Sequence, residues 1–277
     1  MPRIALGLEY DGTAFAGWQW QLGQRNVQAC VEDAVGKVAA EPMTVHSAGR
    51  TDAGVHALQQ VVHFDTQAQR GQRSWLLGVN ANLPDDVRVL WAREVDPSFH
   101  ARYSAIARYY CYVILNRPMK SALQRTQVTW CFNPLDEVKM QEAADHLIGN
   151  HDFSSFRAQG CQSKSPQRIM HFLRVGREND RVIIELSANA FLHHMVRNIA
   201  GVLMEIGTGK KPTDWTRQLI ELRDRKQSGV TAPSDGLYLG GVCYPPAFGI
   251  PNDPIFDLLP PDAARYRHPA DGDGEAM

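Results

Sequence analysis

Apolar and polar residues alternate from Arg3 to Tyr10, with Ile4, Leu6, Leu8 and Tyr10 on one side, and Asp11-Gly12 closes the run as a turn. This predicts a first strand. The period then lengthens. Behind Asn26, a good helix cap, Val27, Val31, Ala34, Val35 and Val38 recur at helical spacing until Pro42 stops them. Alternation returns over residues 43–48 and 60–65, a short helical pattern over 74–81 carries Trp75, Leu76 and Val79, and Val87, Val89 and Trp91 mark a strand after Pro84. The first part of the chain therefore reads β-α-β-β-α-β.

The second part repeats that order. Residues 105–115 alternate, with Arg108, Tyr110, Tyr112 and Ile114 on one face. A helix is expected over 136–148, stopped by Gly149, and paired strands over 169–175 and 181–188. Residues 192–206 read as a helix with Met195, Ile199, Val202 and Ile206 on its buried stripe, followed by a helix over 214–224 and a last strand over 236–243. Two such units predict an α+β fold of two ferredoxin-like halves, residues 1–104 and 105–249. Their sheets would join into one mostly antiparallel platform with helices on one face, leaving the open face or the cleft between halves for a large ligand. Past Tyr244 prolines and acids accumulate, so residues 250–277 are expected to form a poorly ordered acidic tail.

Composition narrows the class. A 277-residue chain with 44% hydrophobic and 21% charged residues is ordinary for a globular protein. No apolar run approaches about 18 residues, so no spanning helix is expected, and the start Met1-Pro2-Arg3-Ile4 enters a strand without a signal-type apolar stretch. Five widely spaced cysteines, never Cys-x-x-Cys, fit a reduced cytoplasmic protein without a structural zinc. The net charge of −1 conceals an uneven distribution. Residues 97–135 hold Arg102, Arg108, Arg117, Lys120 and Arg125 with no acid, and residues 153–177 hold Arg157, Lys164, Arg168, Arg174 and Arg177 with none. Such patches suit a polyanion; the milder alternative is a scatter of solvated charges.

The densest chemistry stands between the strands expected at 43–48 and 60–65, in Ala48-Gly49-Arg50-Thr51-Asp52-Ala53-Gly54-Val55-His56-Ala57-Leu58. A plain hairpin needs about two to five residues. This connection is far longer and places a carboxylate between glycines, with an arginine before it and a histidine after it. Long ordered loops on a sheet are where sites sit. The competing reading is turn chemistry, with the glycines supplying positive φ and Asp52 making an Asx-turn.

Gly49-Arg50-Thr51-Asp52-Ala53-Gly54-Val55-His56 closely resembles the catalytic signature of the tRNA pseudouridine synthase A family. The resemblance runs from about Ile4 to Tyr244. It includes Tyr10-Asp11-Gly12, Gly17-Trp18-Gln19, Gly78-Val79-Asn80-Ala81-Asn82-Leu83-Pro84, Phe99-His100-Ala101-Arg102, Phe153-Ser154-Ser155-Phe156-Arg157 and His193-His194-Met195-Val196-Arg197-Asn198. It implies an isomerase that converts uridine to pseudouridine in the anticodon stem-loop, at positions 38, 39 and 40, acting as a homodimer that shares one tRNA.

Within that resemblance Asp52 is the nucleophile, toward either the sugar carbon or the uracil ring, and a free carboxylate is ionised at neutral pH as the role requires. Arg197 is its charge partner, Tyr110 the contact to the target base, and Arg50 helps hold the target nucleotide out of its helix. Arg102, Arg157 and Arg168 are the further expected RNA contacts. The family block usually carries basic residues where Tyr109 and Cys111 stand, which weakens an RNA-contact role at those two positions. The isomerisation exchanges no electrons and loses no group, so no metal and no redox cofactor is expected. His46, His56 and His63 are read as structural, and His193-His194 as helical neighbours about 100° apart that share no ligand site. The competing classes are a non-catalytic RNA-binding module on the same fold, which loss of the aspartate would mark, and, more distantly, a metal-dependent hydrolase built on His56.

Overall fold

The computed structural model describes residues 1–251, so the expected acidic tail lies, apart from residues 250 and 251, outside the described residues. In the first half, β1 (Arg3–Tyr10) buries the alternating Ile4, Leu6, Leu8 and Tyr10. It lies antiparallel between β3 (His56–Asp65) and β4 (Val87–Val95). α1 (Val27–Ala39) starts where Asn26 Oδ1 accepts the Ala29 N–H at 2.9 Å, and its stripe of Val27, Val31 and Val35 is fully buried. Each such valine contributes about 1.5–3 kcal/mol. α2 (Gln72–Asn80) buries Trp75 and Val79 beside it.

β2 (His46–Ser47) is far shorter than the alternation over 43–48 suggests, and β3 begins earlier than expected. β2 pairs only with Val62 and His63, at the far end of β3. The front of the same edge, at His56 and Ala57, is left to a strand from the other half of the chain, β10 (Leu237–Cys243). That pairing is parallel. It joins the halves into one sheet ordered β4-β1-β3-β10-β5-β9-β8-β7.

In the second half, β5 (Ala107–Asn116) lies antiparallel between β10 and β9 (Arg181–Ala188), and β8 (Gln167–Glu178) follows. Beyond the expected pattern are two short strands, β6 (Thr129–Cys131) beside the end of β5 and β7 (Gly149–Asp152) at the edge of β8. α3 (Glu137–Asp145), α4 (Met195–Gly207) and α5 (Trp215–Leu222) complete this half. With β2 beside β3, the first, second, third and fourth main strands of each half lie in the order fourth, first, third, second, the ferredoxin-like arrangement.

Two cores result. One gathers Leu6, Val35, Phe64 and Trp75; the other gathers Tyr112, Met140, Phe156 and Ile199. Tyr110 packs against both, at the seam.

Candidate active site

Residues 48–55 cross that seam. Their backbone is held by groups from both halves: Gln60 Nε2 donates to Gly49 O at 2.7 Å, Arg108 Nη2 to Ala48 O at 3.2 Å, and Trp18 N to Thr51 O at 3.0 Å. The buried Tyr10 hydroxyl meets Thr51 Oγ1 at 2.8 Å. Glycines make the close approach possible. A Cβ on Gly12 would stand 2.0 Å from Val55 O, and one on Gly17, whose φ is +104°, would stand 2.6 Å from Thr51 O. Val55 packs into the core of the second half. The loop is a strap tethered from both halves, with Thr51 turned inward and Asp52 turned outward.

The Asp52 carboxylate is 26% exposed and faces the start of α4. Arg197 Nη1 lies 3.6 Å from Oδ2, while Arg197 Nε donates to Ala232 O at 2.8 Å, which aims the guanidinium. His193 Nε2 lies 3.4 Å from Oδ1 and His194 Nε2 3.4 Å from Oδ2. The carboxylate thus faces a guanidinium and two imidazoles at the start of a 13-residue helix. Among the described residues its oxygens accept no hydrogen bond from the loop's own backbone; the Asp52 contact that shapes the turn is its carbonyl, which accepts from Val55 N at 3.2 Å. An Asx-turn is therefore not what Asp52 provides.

The histidine pair departs from expectation. The spacing predicts a helix from Leu192, which would splay the two rings apart. The helix starts at Met195 instead, and His194 takes the left-handed conformation at φ 59°. The rings come to 4.0 Å between centroids and converge on one carboxylate, so these neighbours do share a site. Burial pulls the His194 pKa below the ordinary imidazole value, against the attraction of Asp52.

Tyr110 stands where expected, on β5 at the seam. Burial, then the nearby Tyr10 and the charge of Asp52, raise its hydroxyl pKa, so the phenol is neutral. Phe191 meets its ring edge-on at 4.9 Å. Arg108 emerges with a role the alternation did not reveal. Its guanidinium donates to Asn189 O at 2.9 Å and Arg102 O at 2.6 Å as well as Ala48 O, tying the Asp52 loop to the β9–α4 connection. His56 is structural, as expected: Nδ1 accepts from Gly12 N at 3.1 Å and Nε2 faces Thr126 O at 2.9 Å.

The arginines expected to touch RNA divide into two kinds. Arg50 is exposed on the Asp52 loop, with Nη1 3.4 Å from Gln162 Oε1, and Arg102 is exposed beside Tyr103. Arg157 and Arg168 turn inward. Arg157 donates to Cys161 O and Ser163 O, and Arg168, only 9% exposed, donates to Ser165 O, Gln167 O and Ser163 Oγ. They brace the segment that reaches His193 through the Ala158 N to His193 O bond of 3.0 Å. Replacing Arg50 or Arg102 by alanine is expected to flatten the salt dependence of tRNA binding by about one unit each. Arg168→Ala is expected to lower the melting temperature and leave the slope alone. Salt titrations of tRNA affinity for the three variants check this.

A model of the family described as tRNA pseudouridine synthase matches residues 8–104 and 143–245. Among curated relatives, the tRNA pseudouridine synthase A of Methylococcus capsulatus (strain Bath) is 64% identical over 265 residues, covering 96% of this chain and 98% of its own. That of Nitrosococcus oceani is 57% identical over 249 residues, covering 90% and 96%. Among solved structures, a Cbf5-Nop10-Gar1 complex is a distant likeness, with a TM-score of 0.31, 8% identity, and 72% of this chain and 54% of that one covered. No helix among the described residues is long and apolar enough to cross a membrane. With the family model spanning both halves, and relatives this similar along nearly their whole length, the chain belongs to the tRNA pseudouridine synthase family.

Proposed function

We propose that this chain isomerises uridine to pseudouridine in the anticodon stem-loop of tRNA, at positions 38, 39 and 40, with Asp52 as nucleophile. The observation that carries the reading is the outward Asp52 carboxylate, held at the seam of the two halves and facing Arg197 at 3.6 Å. The reaction breaks the bond between uracil N1 and the sugar, forms one from C5, releases the C5 proton and returns a proton to N1. A carboxylate that attacks the nucleotide carbon supplies the covalent step. Arg197 supplies the counter-charge beside it when a flipped uridine displaces water from around it. Tyr110 offers a neutral ring to the uracil, and Arg50 reaches toward the space the nucleotide leaves. The chain acts as a homodimer in the cytoplasm, each tRNA touching both subunits; light scattering at about twice the 31.0 kDa chain mass checks the assembly.

The exchange of N1 for C5 liberates the hydrogen on C5, so purified protein is expected to release tritium from tRNA labelled at uridine C5. Release is expected to persist when folded tRNA is supplied with a chelator, because no step needs a metal or a redox cofactor. A chain that binds tRNA and releases no tritium would instead be an RNA-binding module.

A further inference from the structure

The side chains around Asp52 are, in kind and spacing, a set of metal ligands. A carboxylate oxygen of Asp52 and one ring nitrogen each of His193 and His194 all lie within 4.8 Å of one another. The two shortest contacts, His193 Nε2 to Oδ1 and His194 Nε2 to Oδ2, are both 3.4 Å. A tetrahedral zinc with bonds of about 2.0–2.1 Å holds its ligands about 3.3–3.4 Å apart. Each histidine thus already stands at that separation from one carboxylate oxygen, His193 from Oδ1 and His194 from Oδ2, and the full set, spread over up to 4.8 Å, draws in around one ion by small side-chain rotations. The convergence is built into the backbone: the left-handed His194 turns its ring back beside that of His193 before α4 begins.

We propose that Asp52, His193 and His194 bind one borderline divalent cation of the zinc kind per chain, and that this ion reversibly inhibits the enzyme by engaging the Asp52 carboxylate. Two imidazoles and one carboxylate leave a fourth position open to water, the donor set of an exchangeable rather than a closed structural site. Hard cations are poorly served by it. Magnesium and calcium favour all-oxygen shells, so the magnesium that accompanies folded tRNA does not compete. Arg197, 3.6 Å from the same carboxylate, repels a cation and weakens the site relative to that of a permanent metal. Binding stands apart from the proposed activity; only the inhibition rests on it.

Cobalt(II) is the probe for occupancy, because its visible absorption reports imidazole ligation directly. Titration of the full chain is expected to give one bound cobalt per chain, displaced by one equivalent of zinc and untouched by millimolar magnesium. His193→Ala and His194→Asn, the latter because asparagine tolerates the left-handed backbone, are each expected to weaken binding at least about tenfold. Cys161→Ser serves as the control, since Cys161 Sγ lies 3.4 Å from His193 N and could capture zinc by itself; its affinity is expected to match that of the native chain. In the tritium assay, micromolar zinc is expected to suppress release and a chelator to restore it, with half-inhibition of His194→Asn needing at least about tenfold more zinc. Undiminished binding in both histidine variants, or its loss in Cys161→Ser, would overturn the site. A chain that binds zinc through the histidines but releases no tritium in its absence would sustain the site and sink the activity.

Discussion

Asp52→Asn is expected to abolish pseudouridine formation, by at least about 10⁴-fold, while the protein folds and binds tRNA almost as before. Asparagine matches the volume of aspartate and removes its charge and nucleophilicity. The loop does not depend on the carboxylate for its shape, since Gln60, Arg108, Trp18 and Tyr10 hold its backbone and Thr51. The variant should therefore melt within a few degrees of the native chain. Phosphate contacts are expected to supply most of the affinity for tRNA, and a carboxylate adds nothing to them. Single-turnover assays beside binding isotherms separate these effects. Near-native turnover would remove Asp52 from the chemistry.

Gly12→Ala should damage activity and stability together. The added methyl would lie 2.0 Å from Val55 O and 2.4 Å from Val55 C, both backbone atoms, so the residue 54–55 segment must move away from the end of β1. Overpacking of this kind costs about 1–3 kcal/mol. It also displaces the Gly12 N–H that His56 Nδ1 receives at 3.1 Å. The catalytic effect comes through distance: a shift of about 1 Å in a reacting group can cost on the order of 10²-fold in rate, and Asp52 is three residues from the point of contact. Thermal melts and tritium release on the same preparation measure both. Native turnover with only a lowered melting point would show that the strap yields without moving Asp52.

The sequence made the frame of this arrangement legible and left its seam obscure. Alternation over β1 and β4 and the valine stripe of α1 each depend on neighbours in sequence, which is why periodicity located them. The parallel pairing of His56 and Ala57 with Tyr238 and Leu239 depends on partners about 180 residues apart. It arises because β2 is cut to two residues and leaves half of an edge open, and nothing in Met43–Ser47 announces that truncation.

The site shows the same division. Asp52 and Arg197 stood out through resemblance and meet as expected, whereas the histidines were set aside because helical geometry was extended back over them. A left-handed residue before Met195 reverses that conclusion, and only the unusual His-His pair ahead of an apolar stripe could have signalled it. Arg157 and Arg168 were read as phosphate contacts from an acid-free run, yet Arg157 Nη2 and Arg168 Nη1 donate to carbonyls of their own loop. A run without acids does not distinguish a guanidinium facing solvent from one bracing its own loop.

The most direct test of the central claim is to incubate the purified chain with a tRNA transcript bearing uridines at positions 38, 39 and 40 and to map pseudouridine along it by carbodiimide modification and primer extension. New signals at those positions, absent from the Asp52→Asn reaction, are the expected result. Pseudouridine elsewhere in the transcript, or none at all from a chain that binds it, would contradict the account.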